Sequence, residues 1–158
     1  MSGPGQERQE DRDDPVRVVT AFLEALEELD ADRALTFLAP GVLYQNVSLP
    51  SVRGRRAVGR VLRLLARTCT DFEARVHRVA GNGPVVLTER TDVLVFGAFR
   101  ARFWVCGIFE VHDGRITLWR DYFDWLALLR GAAGGALRAA VIPARRARAA
   151  RAARAVRA

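Results

Sequence analysis

Apolar and polar residues alternate with two different periods along the chain, and the change occurs near residue 70. Before it, apolar side chains recur every three or four residues, which is typical of helices with one buried face. Asp14-Pro15 suits a helix start, with an acidic N-cap and a proline in the first turn, and Pro40-Gly41 suits a helix end. The pattern predicts helices over 15–30, 32–39 and 55–69, with an extended segment at 42–47 and a loop at 49–54.

After residue 70 the side chains alternate with a period of two, as in half-buried strands. Gly81-Asn82-Gly83-Pro84 separates the first two alternating segments, and Asp113-Gly114 is a hairpin signal before the last one. Four consecutive antiparallel strands are therefore predicted, over 72–81, 85–97, 100–112 and 115–124. A glycine-weakened last helix is expected over 125–142, and Pro143 ends it.

Helices followed by a run of strands predict an α+β fold with the helices on one face of a single sheet. Long strands must twist and curl, so helices over the concave face would leave a deep pocket. This is the architecture of the cone-shaped NTF2-like folds. The folded domain is predicted over 15–142, preceded by a disordered, polar segment at 1–14.

The basic charge is concentrated at the end of the chain. All 25 basic residues are arginines, and six of them lie in the last 14 residues, so most of the formal charge of +7 belongs to this tail. Clustered arginines can bind phosphate groups, but the tail lacks interleaved aromatic residues. A disordered Arg/Ala tail over 143–158 is therefore favoured over nucleic-acid binding.

The composition bears on the cellular compartment and on whether the chain binds a metal ion. No run of 18 or more apolar residues occurs, so no membrane span is expected. The polar, acidic N-terminus is unlike a secretory signal. The two cysteines, Cys69 and Cys106, match neither a disulfide framework nor a metal-binding spacing, so a reducing cytoplasm fits best and no metal site is expected.

Charged residues interrupt the apolar faces of two strands. Arg90 and Asp92 share a face with Leu94, because residues two apart in a strand point the same way. Asp121 lies between two aromatic residues on its own strand. A carboxylate on an apolar face is costly unless it is paired, and Arg90 is the obvious partner for both acids. The group is either an ion network that fixes strand register or an acid–base pair with separated pKa values; spacing alone does not choose.

Tyr44 and Asn46 form a second polar pair, on one face of the short extended segment. A phenol and an amide can each hold a water molecule. Taken alone, a tyrosine and an asparagine near a loop are more often turn or edge residues.

The motifs YQN, LTERTDVL and FEVHDGRITLWRDYFD, in this order and spacing, resemble the limonene-1,2-epoxide hydrolase family, and most of all its mycobacterial and other actinobacterial members. The resemblance covers about residues 15–130. It implies a curved mixed sheet with N-terminal helices packed over its concave face, usually in a homodimer.

The resemblance also implies a role for each polar residue. Asp121 matches the family's catalytic base, Asp92 its general acid and Arg90 the arginine that bridges them. Tyr44 and Asn46 match the residues that hold the attacking water. The implied reaction adds water to an epoxide without metal, cofactor or covalent intermediate. Asp124, on the opposite strand face from Asp121, is the rival base and is ranked as structural.

The predicted pocket is apolar and fits a lipophilic epoxide of terpene, fatty-acid or steroid type. The residues expected to line it are Leu65, Phe72, Leu94, Phe103, Val105 and Phe123. Two alternatives stay open. One is an enzyme resembling ketosteroid isomerase on the same fold, which the bridging Arg90 speaks against. The other is a non-catalytic NTF2-like binding or dimerisation module, which the presence of all five polar residues speaks against.

Overall fold

The computed structural model describes residues 14–47 and 49–124. Three predictions concern segments that, apart from residue 14, lie outside the described residues. They are the disorder of residues 1–14, the last helix over 125–142 and the basic tail over 143–158. So does the boundary of the domain at residue 142.

Three helices form where the helical period predicts them, and the first turns of the first two show why they begin there. The Asp14 carboxylate accepts a hydrogen bond from the Val16 backbone N–H at 3.1 Å, and Asp30 accepts one from Arg33 N–H at 2.9 Å. Each side chain satisfies a donor that has no partner within the helix. The helices are α1 (Pro15–Glu27), α2 (Ala31–Thr36) and α3 (Arg55–Thr68).

Six strands form one sheet in the order β2-β1-β6-β5-β4-β3. Neighbours are antiparallel except β1 and β6, which are parallel. The sheet is therefore mixed, and the four later strands form the predicted meander. The strands are β1 (Leu38–Asn46), β2 (Val52–Arg53), β3 (Asp71–Asn82), β4 (Val85–Phe96), β5 (Phe99–His112) and β6 (Arg115–Phe123).

Two predicted boundaries between α2 and α3 are wrong. The second helix ends at Thr36 and not at Pro40-Gly41. The following strand begins at Leu38 and includes both of those residues, and the expected loop at 49–54 contains the short strand β2. The register of β1 against β6 shifts between Leu38 and Leu43. Proline and glycine are tolerated in a strand at such an irregularity, where a ladder hydrogen bond is already missing.

The hairpin between β5 and β6 is the predicted two-residue turn. Asp113 and Gly114 both have positive φ, 51° and 66°, and they separate the paired residues His112 and Arg115. Positive φ at both central positions is the geometry for which aspartate followed by glycine is favoured. The turn sets the pairing of His112 with Arg115, and a register shift between Glu110 and Val111 then brings Asp121 opposite Gly107.

The core lies between the helices and the concave face of the curved sheet. α1 packs against β3, β4, β5 and β6, and its apolar stripe is buried, with Val19 and Phe22 fully inaccessible. The α+β fold with a curved mixed sheet and N-terminal helices on its concave face is confirmed. Within the described part of the chain, no helix has the length and hydropathy needed to cross a bilayer.

Candidate active site

Arg90 joins two carboxylates that lie on different strands. Its Nε donates to Asp92 Oδ1 at 2.9 Å, and its Nη2 donates to Asp121 Oδ2 at 2.8 Å. All three side chains are buried, Arg90 to 1% exposure. Arg90 and Asp92 share a face of β4, whereas Asp121 is on β6, with β5 between them. The structure thus brings together the three charged residues that the strand pattern singled out.

Asp121 has a second donor that the sequence did not indicate. Trp119 Nε1 donates to Asp121 Oδ2 at 2.9 Å, from the same face of β6. The other carboxylate oxygen, Oδ1, is buried and accepts no hydrogen bond from the described residues. Asp121 therefore has one oxygen held by two donors and one oxygen whose lone pairs are unused by these neighbours.

Tyr44 and Asn46 lie beside this arrangement because β1 runs parallel to β6. In the register of the two strands, Tyr44 is opposite Trp119 and Asn46 is opposite Asp121. The Tyr44 ring stacks on Trp119 with centroids 4.0 Å apart, and Asn46 Nδ2 donates to Tyr44 Oη at 2.7 Å. All five polar residues of the predicted site therefore face one pocket.

Burial shifts the ionisation of the site. Desolvation raises the pKa of Asp92 from 3.8 to about 6, against the lowering effect of the Arg90 charge. Desolvation also raises the pKa of Asp121, again opposed by Arg90 and by the hydrogen bond from Trp119. Burial and the charge of Asp121 raise the pKa of Tyr44 well above its usual range, so its hydroxyl stays protonated.

The pocket around these groups has a volume of about 240 Å³. The six apolar residues predicted to line it all do so, and Leu26, Val61, Leu62 and Trp119 line it too. Leu26 comes from α1 and the Val61–Leu62 pair from α3. Sequence reasoning missed them because an apolar helix face gives no sign of which of its residues reach past the core into a cavity.

The other candidates lie elsewhere. Asp124 is exposed and does not line the pocket. His77 contacts the Thr91 hydroxyl at 2.8 Å on the outer face of the sheet. Within residues 14–47 and 49–124, no group of three or more histidine, cysteine, aspartate or glutamate side chains is arranged to hold a metal ion.

Comparison with known proteins decides the family. Residues 13–133 match the limonene-1,2-epoxide hydrolase catalytic domain, which is most of the chain. This chain belongs to the limonene-1,2-epoxide hydrolase family. Its relative epoxide hydrolase EphG of Mycobacterium tuberculosis is 46% identical over 129 residues, which are 82% of this chain and 85% of that protein.

Solved structures agree. An LEH-like epoxide hydrolase from M. tuberculosis superposes with a TM-score of 0.73 at 46% identity, over 82% of this chain and 96% of the other. A SnoaL-like protein from Shewanella denitrificans gives a TM-score of 0.70 at 13% identity, over 76% of this chain and 97% of the other. The second likeness concerns the fold alone, and it confirms the NTF2-like cone.

Membership in the limonene-1,2-epoxide hydrolase family confirms the prediction that the chain is an enzyme and an epoxide hydrolase. The alternative of a non-catalytic module is thereby set aside. A protein from Catenulispora acidiphila with a ketosteroid isomerase-like fold has a TM-score of 0.66 at 16% identity, which is a likeness of fold and gives the isomerase alternative no support in chemistry.

Proposed function

We propose that this epoxide hydrolase converts a lipophilic epoxide into a vicinal diol in one step, with Asp121 as general base and Asp92 as general acid. The observation that carries the proposal is the single Arg90 guanidinium between two buried carboxylates. One cation can offset one negative charge, and burial disfavours a second uncompensated one. The pair is therefore expected to share one proton below the raised pKa of Asp92, about 6, and to titrate as a unit.

Hydrogen bonding supports the assignment of the proton. Asp121 accepts from both Arg90 and Trp119, whereas Asp92 accepts from Arg90 alone among the described residues. Hydrogen bonds to a carboxylate favour its charged form. Asp121 is then the ionised base. Asp92, with its pKa raised to about 6, is the acid, and it holds its proton below that pH.

The reaction needs both groups at once, because water is a weak nucleophile and an epoxide oxygen is a poor leaving group. Asp121 removes a proton from the water while the water oxygen bonds to an epoxide carbon. The carbon–oxygen bond breaks, and Asp92 gives its proton to the departing oxygen. Each proton transfer contributes about 10²–10⁴-fold. Arg90 contacts both carboxylates, so it stabilises the negative charge before and after the charge moves from Asp121 to Asp92.

Tyr44 and Asn46 are proposed to hold the attacking water. Asn46 uses its amide N–H on Tyr44 Oη, which leaves the Tyr44 O–H as a donor and the Asn46 carbonyl as an acceptor. A water that donates to Asn46 and to Asp121 Oδ1, and accepts from Tyr44, keeps one lone pair for the epoxide carbon. A fixed water loses little entropy on reaching the transition state.

The substrate is proposed to be lipophilic because the pocket wall beyond the five polar residues is apolar. Carbon chains or rings buried there gain about 25 cal/mol per Å² of apolar surface. Terpene, fatty-acid and steroid epoxides are the classes to screen.

For the compartment, we propose a reducing cytoplasm, because Cys69 and Cys106 are both free thiols.

A second copy of the chain is the proposed partner. The outer face of the sheet, away from the pocket, exposes large apolar side chains of three adjacent strands, with Leu87 45%, Trp104 48% and Tyr122 38% accessible. Exposed large apolar side chains on one face are typical of an interface. Glu89 and Arg78, paired on the same face, give it both signs of charge, which suits a surface that meets its own copy.

The test of the reaction is a single turnover in water enriched in oxygen-18, with enzyme in excess over limonene 1,2-epoxide, an epoxidised fatty acid or a steroid epoxide. Direct attack by water gives a first-turnover diol that carries the label. An unlabelled first-turnover diol would mean that a protein carboxylate attacks and forms an ester, and the proposal would be wrong.

Variants test the assignment of roles. Asp121→Asn and Asp92→Asn are each expected to lose nearly all turnover and to remain folded, with losses that are strongly non-additive because one concerted step uses both groups. Asp124→Asn is the matched control, three residues along the chain and outside the pocket, and should stay active. An inactive Asp124→Asn beside an active Asp121→Asn would overturn the assignment.

A further inference from the structure

Arg90 reaches Asp121 only by crossing a strand. Arg90 is on β4, Asp121 is on β6, and β5 lies between them. The β5 residue at the crossing is Gly107, which is paired with Thr88 on one side and with Asp121 on the other. The guanidinium therefore lies across the backbone of β5 at Gly107.

The space at Gly107 is already filled by its neighbours. A Cβ added there would lie 2.5 Å from Arg90 Nη1, 2.6 Å from Thr88 Oγ1 and 2.9 Å from Phe109 Cε2. Side-chain carbons do not approach other atoms this closely. Glycine weakens a strand interior and often marks a close approach of other groups, and here the group that approaches is the arginine of the active site.

Thr88 holds the third nitrogen of the same guanidinium. Its hydroxyl accepts from Arg90 Nη1 at 3.2 Å, and the residue is only 2% exposed. Thr88, Arg90 and Asp92 follow one another at every second position of β4, so they share its inner face. Each of the three guanidinium nitrogens thus has one oxygen partner, from Thr88, Asp92 and Asp121.

We propose that Thr88 and Gly107 form a guanidinium seat, which positions Arg90 so that it reaches both carboxylates at once. Gly107 supplies the space, and Thr88 supplies the hydrogen bond that fixes the rotation of the planar group. The seat acts through Arg90 and does not touch the reacting atoms. Its catalytic consequence rests on the function proposed above, but its geometry can be tested without any turnover.

Turnover and its pH dependence are the first readout. In Gly107→Ala the guanidinium must move away from β5, and we expect kcat to fall about 100-fold, as for loss of a strong charge-assisted contact. Among the described residues, Arg90 and Tyr44 interact with both carboxyls, and Glu27 interacts with that of Asp92. Because the positive charge retreats, the acid limb of the pH–rate profile should move to higher pH. A purely structural loss would lower activity without moving that limb.

Gly81→Ala is the matched control. Gly81 is also a strand glycine, on β3, where an added Cβ would lie 2.8 Å from Val16 Cγ2. The substitution imposes a single, milder steric conflict outside the pocket, with a methyl group of the half-buried Val16. It should lower the melting temperature and leave the position of the acid limb unchanged.

Two variants of Thr88 test the proposal independently, in case Gly107→Ala does not fold. Thr88→Val has nearly the same shape but lacks the hydroxyl, and we expect about a tenfold loss of kcat with the same shift of the acid limb. Thr88→Ser keeps the hydroxyl and should recover most of the lost turnover. Equal kcat and equal pH profiles in the wild type and Thr88→Val would overturn the role of Thr88.

Thermal unfolding separates this proposal from the proposed reaction. If Arg90 is the group that fills the space at Gly107, then Gly107→Ala should lower the melting temperature less in an Arg90→Met background than in the wild type. The same loss in both backgrounds would overturn the seat, even if the enzyme forms diol as proposed. A clear coupling in a protein that forms no diol would support the seat and reject the reaction.

Discussion

Three buried charged residues at one site have an energetic cost that the rest of the fold must offset. Arg90, Asp92 and Asp121 are each at most 5% exposed, and a buried ion pair or triad is often no more stabilising than well-packed apolar residues of similar volume. The triad is therefore better explained by chemistry than by stability.

Asp92→Asn is expected to gain stability relative to the wild type as the pH rises from about 4 to about 7. Burial raises the folded-state pKa of Asp92 from 3.8 to about 6, so between these values the folded chain holds a proton that the unfolded chain has lost. The free energy of unfolding then decreases with rising pH. Asparagine is neutral throughout and avoids this loss.

Melting temperatures of both proteins at pH 4, 5, 6 and 7 check this prediction. The difference between variant and wild type should increase across the series and level off above the folded-state pKa. A constant difference would show that Asp92 ionises in the folded protein as it does in the unfolded chain.

Tyr44→Phe should lower kcat roughly 3- to 100-fold and leave turnover measurable. The substitution keeps the ring that stacks on Trp119 and removes one hydrogen bond to the proposed water, worth about 0.5–1.5 kcal/mol and more in an ionic network. KM should change little, because the epoxide loses no contact. Asn46→Asp should be worse, since a second carboxylate beside Asp121 disturbs the shared charge.

Steady-state kinetics on any accepted epoxide decides this point. An unchanged kcat in both variants would make Tyr44 and Asn46 structural, and the water would need another holder. Retained folding can be checked by the melting temperature, because neither substitution removes apolar area from the core.

At the residue scale, alternation within one strand was sufficient to find Arg90 with Asp92 and Tyr44 with Asn46. The sequence could not show the contacts that cross strands. The place of Gly107 beneath the Arg90 guanidinium depends on the register of β4, β5 and β6, which no single strand reveals.

At the scale of elements, the strongly periodic segments predict the helices and strands correctly. The errors lie at a proline and a glycine, which local propensity alone treats as the end of a helix. Pro40-Gly41 was expected to end a helix, but both lie within β1, close to the register shift against β6. The structure of this segment depends on its partner strand, 75 or so positions along the chain, and local propensity does not contain that information.

The tie between α1 and β3 gives a prediction at this scale. β3 is an edge of the sheet, and the Glu27 carboxylate accepts from the Ala74 backbone N–H at 2.7 Å. Glu27→Ala removes this acceptor and should lower the melting temperature by roughly 3–6 °C, which corresponds to about 1 kcal/mol. Glu27→Gln keeps a carbonyl oxygen at the same place and should recover most of the loss. Equal losses in the two variants would show that the contact contributes nothing.

At the scale of the whole molecule, the single curved sheet has two faces with different tasks. The concave face, covered by the helices, holds the pocket and the charged triad. The outer face carries apolar side chains that the described residues leave exposed. The sequence predicts the concave face well, because charged residues among the apolar positions of a strand are unusual and mark that face. It was silent about the outer face, where an exposed leucine or tryptophan is not distinguished from a buried one by the pattern.

The proposed homodimer is tested by introducing charge on the outer face. The wild type should have a solution mass near twice 17.5 kDa by light scattering or sedimentation, because the proposed interface would bury the exposed Leu87 and Trp104. Leu87→Arg combined with Trp104→Arg should give the monomer, since like charges would face each other across a twofold axis.

Leu64→Arg on α3 is the matched control. Leu64 is 62% exposed but on the opposite side of the molecule, and the variant should keep the wild-type mass. A wild type that stays monomeric at high concentration, or a dimer that survives both outer-face arginines, would reject this interface.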